Sequence, residues 1–211
     1  MSASVVRAPR SVPPEFIGQA RVFRNRILAS DDRVGPAIGA ITAYARDVLR
    51  RRHTYRPEHF KHLERAWRLT IPDMGRLAYA TERGKDSLTI ADARICSSTF
   101  HKAAWKNDFG EHSLALIIYS GRFTSGHIDI ESMPVSAVSL HALARRFQRS
   151  FDSSDQAVLR DLSQITLNAN ALLNKSSFRQ PAGDGAWHGE TVTVATCEKP
   201  AQRILATRTF I

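Results

Sequence analysis

Apolar positions along the chain switch period near residue 87. Before it, Ile38, Ile41, Ala45, Val48 and Leu49 recur at helical spacing after Pro36, which suits a first helical turn. A second helix is predicted from Pro57, with Phe60, Leu63, Ala66 and Trp67 on its buried face and Ile71-Pro72 ending it. A third, short helix is predicted from Asp73 through Met74, Leu77 and Ala78. After it the pattern reads as strands: 87–91, 94–100, 113–119 and 122–131. The unbroken run Leu114 to Ile118 fits a central strand covered on both faces, and Gly121 a turn.

Pro134 reads as a break in the sheet. Ser136 or Ser139 then caps a helix reaching about Phe151. Ser153 with Gln156 three residues on resembles a capping box for a longer helix, in which Val158, Leu162, Ile165, Ala169 and Leu172 face the core. Gly183-Asp184-Gly185 is a loop; 191–197 and 203–211 are strands joined by a turn at 198–201.

These elements predict an α+β fold: a flexible arm over 1–15, a basic helical region over 16–85, and a body over 87–211. In that body two helices interrupt an antiparallel sheet. The 211 residues suffice for one large domain, and no apolar run is long enough to span a bilayer.

Charge changes the picture. Thirty basic against twenty acidic residues leave +10, and only six of the thirty are lysines. Residues 1–110 hold 20 basic and 11 acidic side chains, whereas 111–211 hold 10 and 9. Guanidinium binds phosphate bidentately, so an arginine excess in one half points to nucleic acid. Codon bias toward Arg and Ala would give the same composition without function. The phosphate-contact candidates are Arg46, Arg50, Arg51, Arg52 and Arg56, at the end of the first predicted helix and beyond it. Complementing the helix dipole is their plain structural role.

Two distant cysteines, Cys96 and Cys197, and no apolar leader point to a reducing, cytoplasmic setting. The arginine-rich N-terminus also fits an organellar transit segment.

The segment Ser139 to Arg149 carries the main chemical candidate. On a helix, His141, Arg145, Gln148 and Arg149 share one face, opposite Leu140, Leu143, Ala144 and Phe147. Flanking cations would keep the imidazole neutral, as a general base requires. A solvated helix face with a chance histidine is the competing reading. The run SLHALARRFQR resembles the His-Ala-x-x-Arg-x-x-x-Arg helix of RelE- and BrnT-like toxins, over residues 112–211 at most. The resemblance implies an RNA-binding α+β fold and metal-independent RNA cleavage. His141 would be its base, and Arg145, Arg149 and Arg208 would hold the phosphate.

A rival site is the strand of His127, Asp129 and Glu131, whose carboxylates at i and i+2 could share a divalent metal. Met133 stands where metal nucleases place a lysine. His59 with His62, and Cys96 with His101, lack the further ligands zinc needs. Trp187-His188-Gly189 could stack a base or anchor a loop.

The sequence therefore predicts a nucleic-acid-binding protein, RNA before DNA, without cofactor, metal or membrane partner. A toxin-like RNase and a structural or interaction protein are the alternatives, and a protein partner or second copy stays open.

Overall fold

The computed structural model describes residues 11–97, 114–124, 126–194 and 202–211. Three helices come first: α1 (Pro14–Asp31), α2 (Val34–Arg52) and α3 (Pro57–Thr70). A four-strand meander follows: β1 (Arg76–Arg83), β2 (Ser87–Ser97), β3 (Leu114–Thr124) and β4 (His127–Val138). Helices α4 (Leu140–Arg149), α5 (Asp155–Leu167) and α6 (Ala169–Leu173) lead to β5 (Ser177–Ala182), β6 (Gly185–Val194) and β7 (Gln202–Phe210). The fold is α+β, with one sheet in the order β1-β2-β3-β4-β7-β6-β5. Every neighbouring pair is antiparallel except β4 and β7. That parallel pair follows from the helical crossover between them. Among the described residues no helix is long and apolar enough to cross a membrane.

Two cores flank the sheet. On one face Leu88, Ile90 and Phe123 meet Ile41, Val48, Leu63 and Trp67 of α2 and α3. On the other, Leu116, Val138, Trp187 and Leu205 meet Phe23, Leu143, Phe147 and Leu162 of α1, α4 and α5. Among the described residues the helices are therefore sorted by face, the basic pair α2–α3 on one side and α1, α4 and α5 on the other.

Several expectations are corrected. The short helix from Asp73 is strand β1: Gly75 takes φ +82°, its carbonyl accepts from Ile95 N at 2.8 Å, and Tyr79 pairs with Asp92. The Met74, Leu77, Ala78 spacing imitates a helix, but here Met74 and Leu77 border the α1 core. The helical run thus ends at Thr70. Residues 11–15 are not a free arm, since Val12 is buried and α1 starts at Pro14; residues 1–10 lie outside the described residues.

Gly121 is no turn. It lies inside β3, where an added Cβ would come within 2.9 Å of the Trp67 ring. The β3–β4 turn comes later, with Gly126 at φ +85°. Pro134 sits inside β4 beside a register shift, where a missing N–H is tolerated. Strand β6 starts at Gly185, before the predicted Thr191. The 198–201 turn, Cys197, His101 and residues 98–100 and 113 lie outside the described residues.

Candidate nucleic-acid interface

Residues 34–70 hold eight basic and three acidic side chains, and the α2–α3 hairpin displays them. Helix α2 ends on His53, whose φ of 58° is left-handed and whose N–H donates to Leu49 O at 2.8 Å. Arg50, Arg51 and Arg52 fill the last turn, where the helix dipole favours cations. Arg50 and Arg51 also bridge to Asp47 at 3.2 and 3.0 Å while staying exposed. Pairs this exposed are weak and screened.

Helix α3 starts at Pro57, where Arg56 N–H donates to His59 Nδ1 at 3.0 Å. Its buried stripe of Phe60, Leu63 and Trp67 fixes the opposite stripe. Lys61, Arg65 and Arg68, at i, i+4 and i+7, therefore point outward together. Beside them lies an open groove of about 490 Å³, lined by Lys61, Glu64, Arg65, Arg68, Leu69 and Arg83. Arg83 Nε donates to the Glu64 carboxylate at 2.8 Å, so the one acid in the groove is already neutralised. Among the described residues Arg46, Arg52, Arg56, Lys61, Arg65 and Arg68 form no ion pair. The structure thus extends the predicted arginine cluster along α3. The i, i+4, i+7 spacing of Lys61, Arg65 and Arg68 is the signal in the sequence for that stripe.

The His141 constellation looks different in space. Ser139 caps α4, accepting from Ala142 N at 3.0 Å, as the sequence implied. The helix is nevertheless wedged between α1 and β7 and buried on nearly every side. Only His141, Gln148 and Arg149 reach the surface, so the predicted solvent face does not exist at Arg145. Arg145 is 6% exposed and donates to Gln148 Oε1 at 2.9 Å. Burial first, then the charge of Arg149, lowers its pKa. Arg149 donates to Phe210 O at 2.7 Å. Arg208 is the extra residue of a bulge in β7, and its guanidinium grips Glu190 at 2.6 Å, on the sheet face away from α4. The four side chains do not gather around one open point. Arg145→Ala should consequently lower the melting temperature by about 5 °C, because it removes a packed stem as well as a charge. Arg149→Ala should cost clearly less. Calorimetry of both variants checks the ranking, and equal values would contradict the burial argument.

The rival strand stays open to solvent. His127 and Glu131 are exposed, and Asp129 stands across from Arg122. Among the described residues no three His, Cys, Asp or Glu side chains gather as a metal site requires. Cys96 is buried, and burial pushes its thiol up to about 12, so it is inert at neutral pH. Trp187 lies in the core, its Nε1 donating to Asp161 O at 3.1 Å, and offers no stacking platform. Searches of protein-family models, curated proteins and solved structures give no match to this chain.

Proposed function

We propose that the protein binds nucleic acid through the phosphate backbone, on the outer side of the α2–α3 hairpin. The carrying observation is the run of exposed cations with no acidic partner among the described residues, Arg46, Arg52, Lys61, Arg65 and Arg68, on a hairpin docked to a sheet. Arginine-rich helices can follow a charged backbone without reading bases, and two of the rings on this hairpin, His62 and Tyr44, pack on each other with centroids 4.6 Å apart. The reading is of sequence-independent contact. The preference for RNA rests on the toxin-like resemblance of the α4 segment.

Affinity for a short single strand should fall steeply with salt, because each phosphate contact releases counterions. The triple variant Lys61→Ala, Arg65→Ala, Arg68→Ala should flatten the log Kd against log salt slope by about 2–3, at roughly 0.7–0.9 per contact. Arg50→Ala with Arg51→Ala should change it less, since both cations already share Asp47. Fluorescence anisotropy over a salt series measures this. An unchanged slope in the triple variant removes α3 from the interface, and no binding at low salt overturns the reading.

A further inference from the structure

A second polar surface lies on the face of β5, β6 and β7 turned away from α4, α5 and α6, the helices that contact these strands. Alternation decides which side chains it carries. Phe178, Trp187 and Phe210 point into the core, so Arg179, His188 and Glu190 point out. Register then sets them side by side: Arg179 stands across from His188, and His188 across from Thr209. Directly opposed side chains on antiparallel strands have Cβ atoms about 4.5–5.5 Å apart. Arg208 joins the same patch, with Nε and Nη2 on Glu190 Oε1 at 3.1 and 2.6 Å.

One group here is unsatisfied. His188 is half-buried, and its Nε2 is shielded from water with no hydrogen-bond partner. An orphan of this kind costs about 1–3 kcal/mol. Burial, and then the nearby Arg179 charge, lower the His188 pKa, which favours the neutral ring in the free protein. Among the described residues, the charged groups around it are Arg179 on β5, Glu190 on β6 and Arg208 on β7.

We propose that this face is a binding site for a terminal phosphate group, with Arg179 and Arg208 as its cations and His188 and Thr209 as neutral donors. A monoester presents three free oxygens where a backbone diester presents two, and Arg179, His188 and Thr209 offer three donors in one cross-strand row. Its charge of about −1.5 to −2 suits the two guanidinium groups and one carboxylate that the described residues place there. Glu190 fixes the direction of the Arg208 fork. The phosphate could belong to a free nucleoside monophosphate or to the 5′ end of a strand. The site is independent of the α2–α3 surface, which would hold internal phosphates.

The test is nitrogen-detected NMR of the histidine rings in the intact protein, titrated with inorganic phosphate at constant ionic strength with chloride as control. The His188 Nε2 resonance should shift saturably, and its titration midpoint should rise by about one pH unit as the bound dianion favours the imidazolium. Arg179→Ala should weaken phosphate about tenfold, the usual worth of a charge-assisted contact. The Lys61, Arg65, Arg68 triple alanine variant should leave the shift unchanged, which separates this site from the backbone interface. A 5′-phosphorylated trinucleotide binding more tightly than both its 5′-hydroxyl form and a nucleoside monophosphate assigns a strand end; equal affinity for the monophosphate assigns a small ligand. A His188 resonance that ignores tens of millimolar phosphate, or moves equally in Arg179→Ala, overturns the proposal.

Discussion

Asp161→Ala should destabilise the protein by about 3–5 kcal/mol, among the largest effects available to one substitution in this chain. The carboxylate is buried between α5 and α4 and accepts from Arg146 Nε at 3.0 Å and Nη2 at 2.9 Å. Arg146, 1% exposed, sends its remaining Nη1 to the Asp152 carbonyl. Removing the acid leaves a guanidinium buried without a counter-charge, which costs more than the pair itself contributes. At this chain length the melting temperature should fall by on the order of 10 °C. Arg146→Met with Asp161→Leu removes both charges and should recover a large part of the loss. A double variant as unstable as Asp161→Ala alone would show that packing, and not the stranded charge, sets the cost.

Arg146 also marks where sequence reasoning stopped. Periodicity located α2, α3, α4 and α5 because each buries an apolar stripe, and Ser139 was legible as a cap from its place before Leu140. Helix α1 buries Ala20, Phe23 and Ile27, a stripe as regular as theirs, yet the sequence predicts only a basic helical region from residue 16 and no helix bounds there, its arginines and the prolines before it obscuring the start. In α4 the failure was of another kind. A helical wheel assumes one wet side, but α4 is enclosed by α1, α5 and the sheet, so Arg145 and Arg146 are buried as well. Nothing in SLHALARRFQR announces that enclosure, because it depends on Phe23 and Asp161, far away in sequence.

The same limit applied to the candidate sites. The arginine cluster at residues 46–56 was visible as a local run, and the structure keeps most of it exposed. The row Arg179, His188, Thr209 was not, since its members come together only through the pairing of β5 and β7 with β6. Arginine count alone could not separate the exposed cations of α2–α3 from Arg76, Arg94 and Arg146, which are consumed inside the fold.

Arg76 and Arg94 belong to the network behind the second large prediction. Asp92, wholly buried on β2, accepts from Trp67 Nε1 at 3.1 Å, Arg76 Nε at 3.2 Å and Arg94 Nη1 at 3.5 Å. Arg94 is 2% exposed and also donates to Met74 O at 2.9 Å and to Pro72 O. Its pKa is lowered chiefly by burial, and Asp92 works against that shift. Asp92→Ala should therefore cost about 3–5 kcal/mol, by stranding a buried guanidinium and an indole N–H together. Asp92→Asn keeps an acceptor for Trp67 and should cost less. The consequence reaches the proposed interface, because Trp67 pins α3 to the sheet at Gly121, and α3 carries Lys61, Arg65 and Arg68. Amide exchange in α3 should accelerate in Asp92→Ala more than in α5, and nucleic-acid affinity should drop although no phosphate contact is altered. A variant with wild-type exchange in α3 and a melting temperature within about 2 °C of the parent would sink this account, since at this size that corresponds to under about 1 kcal/mol.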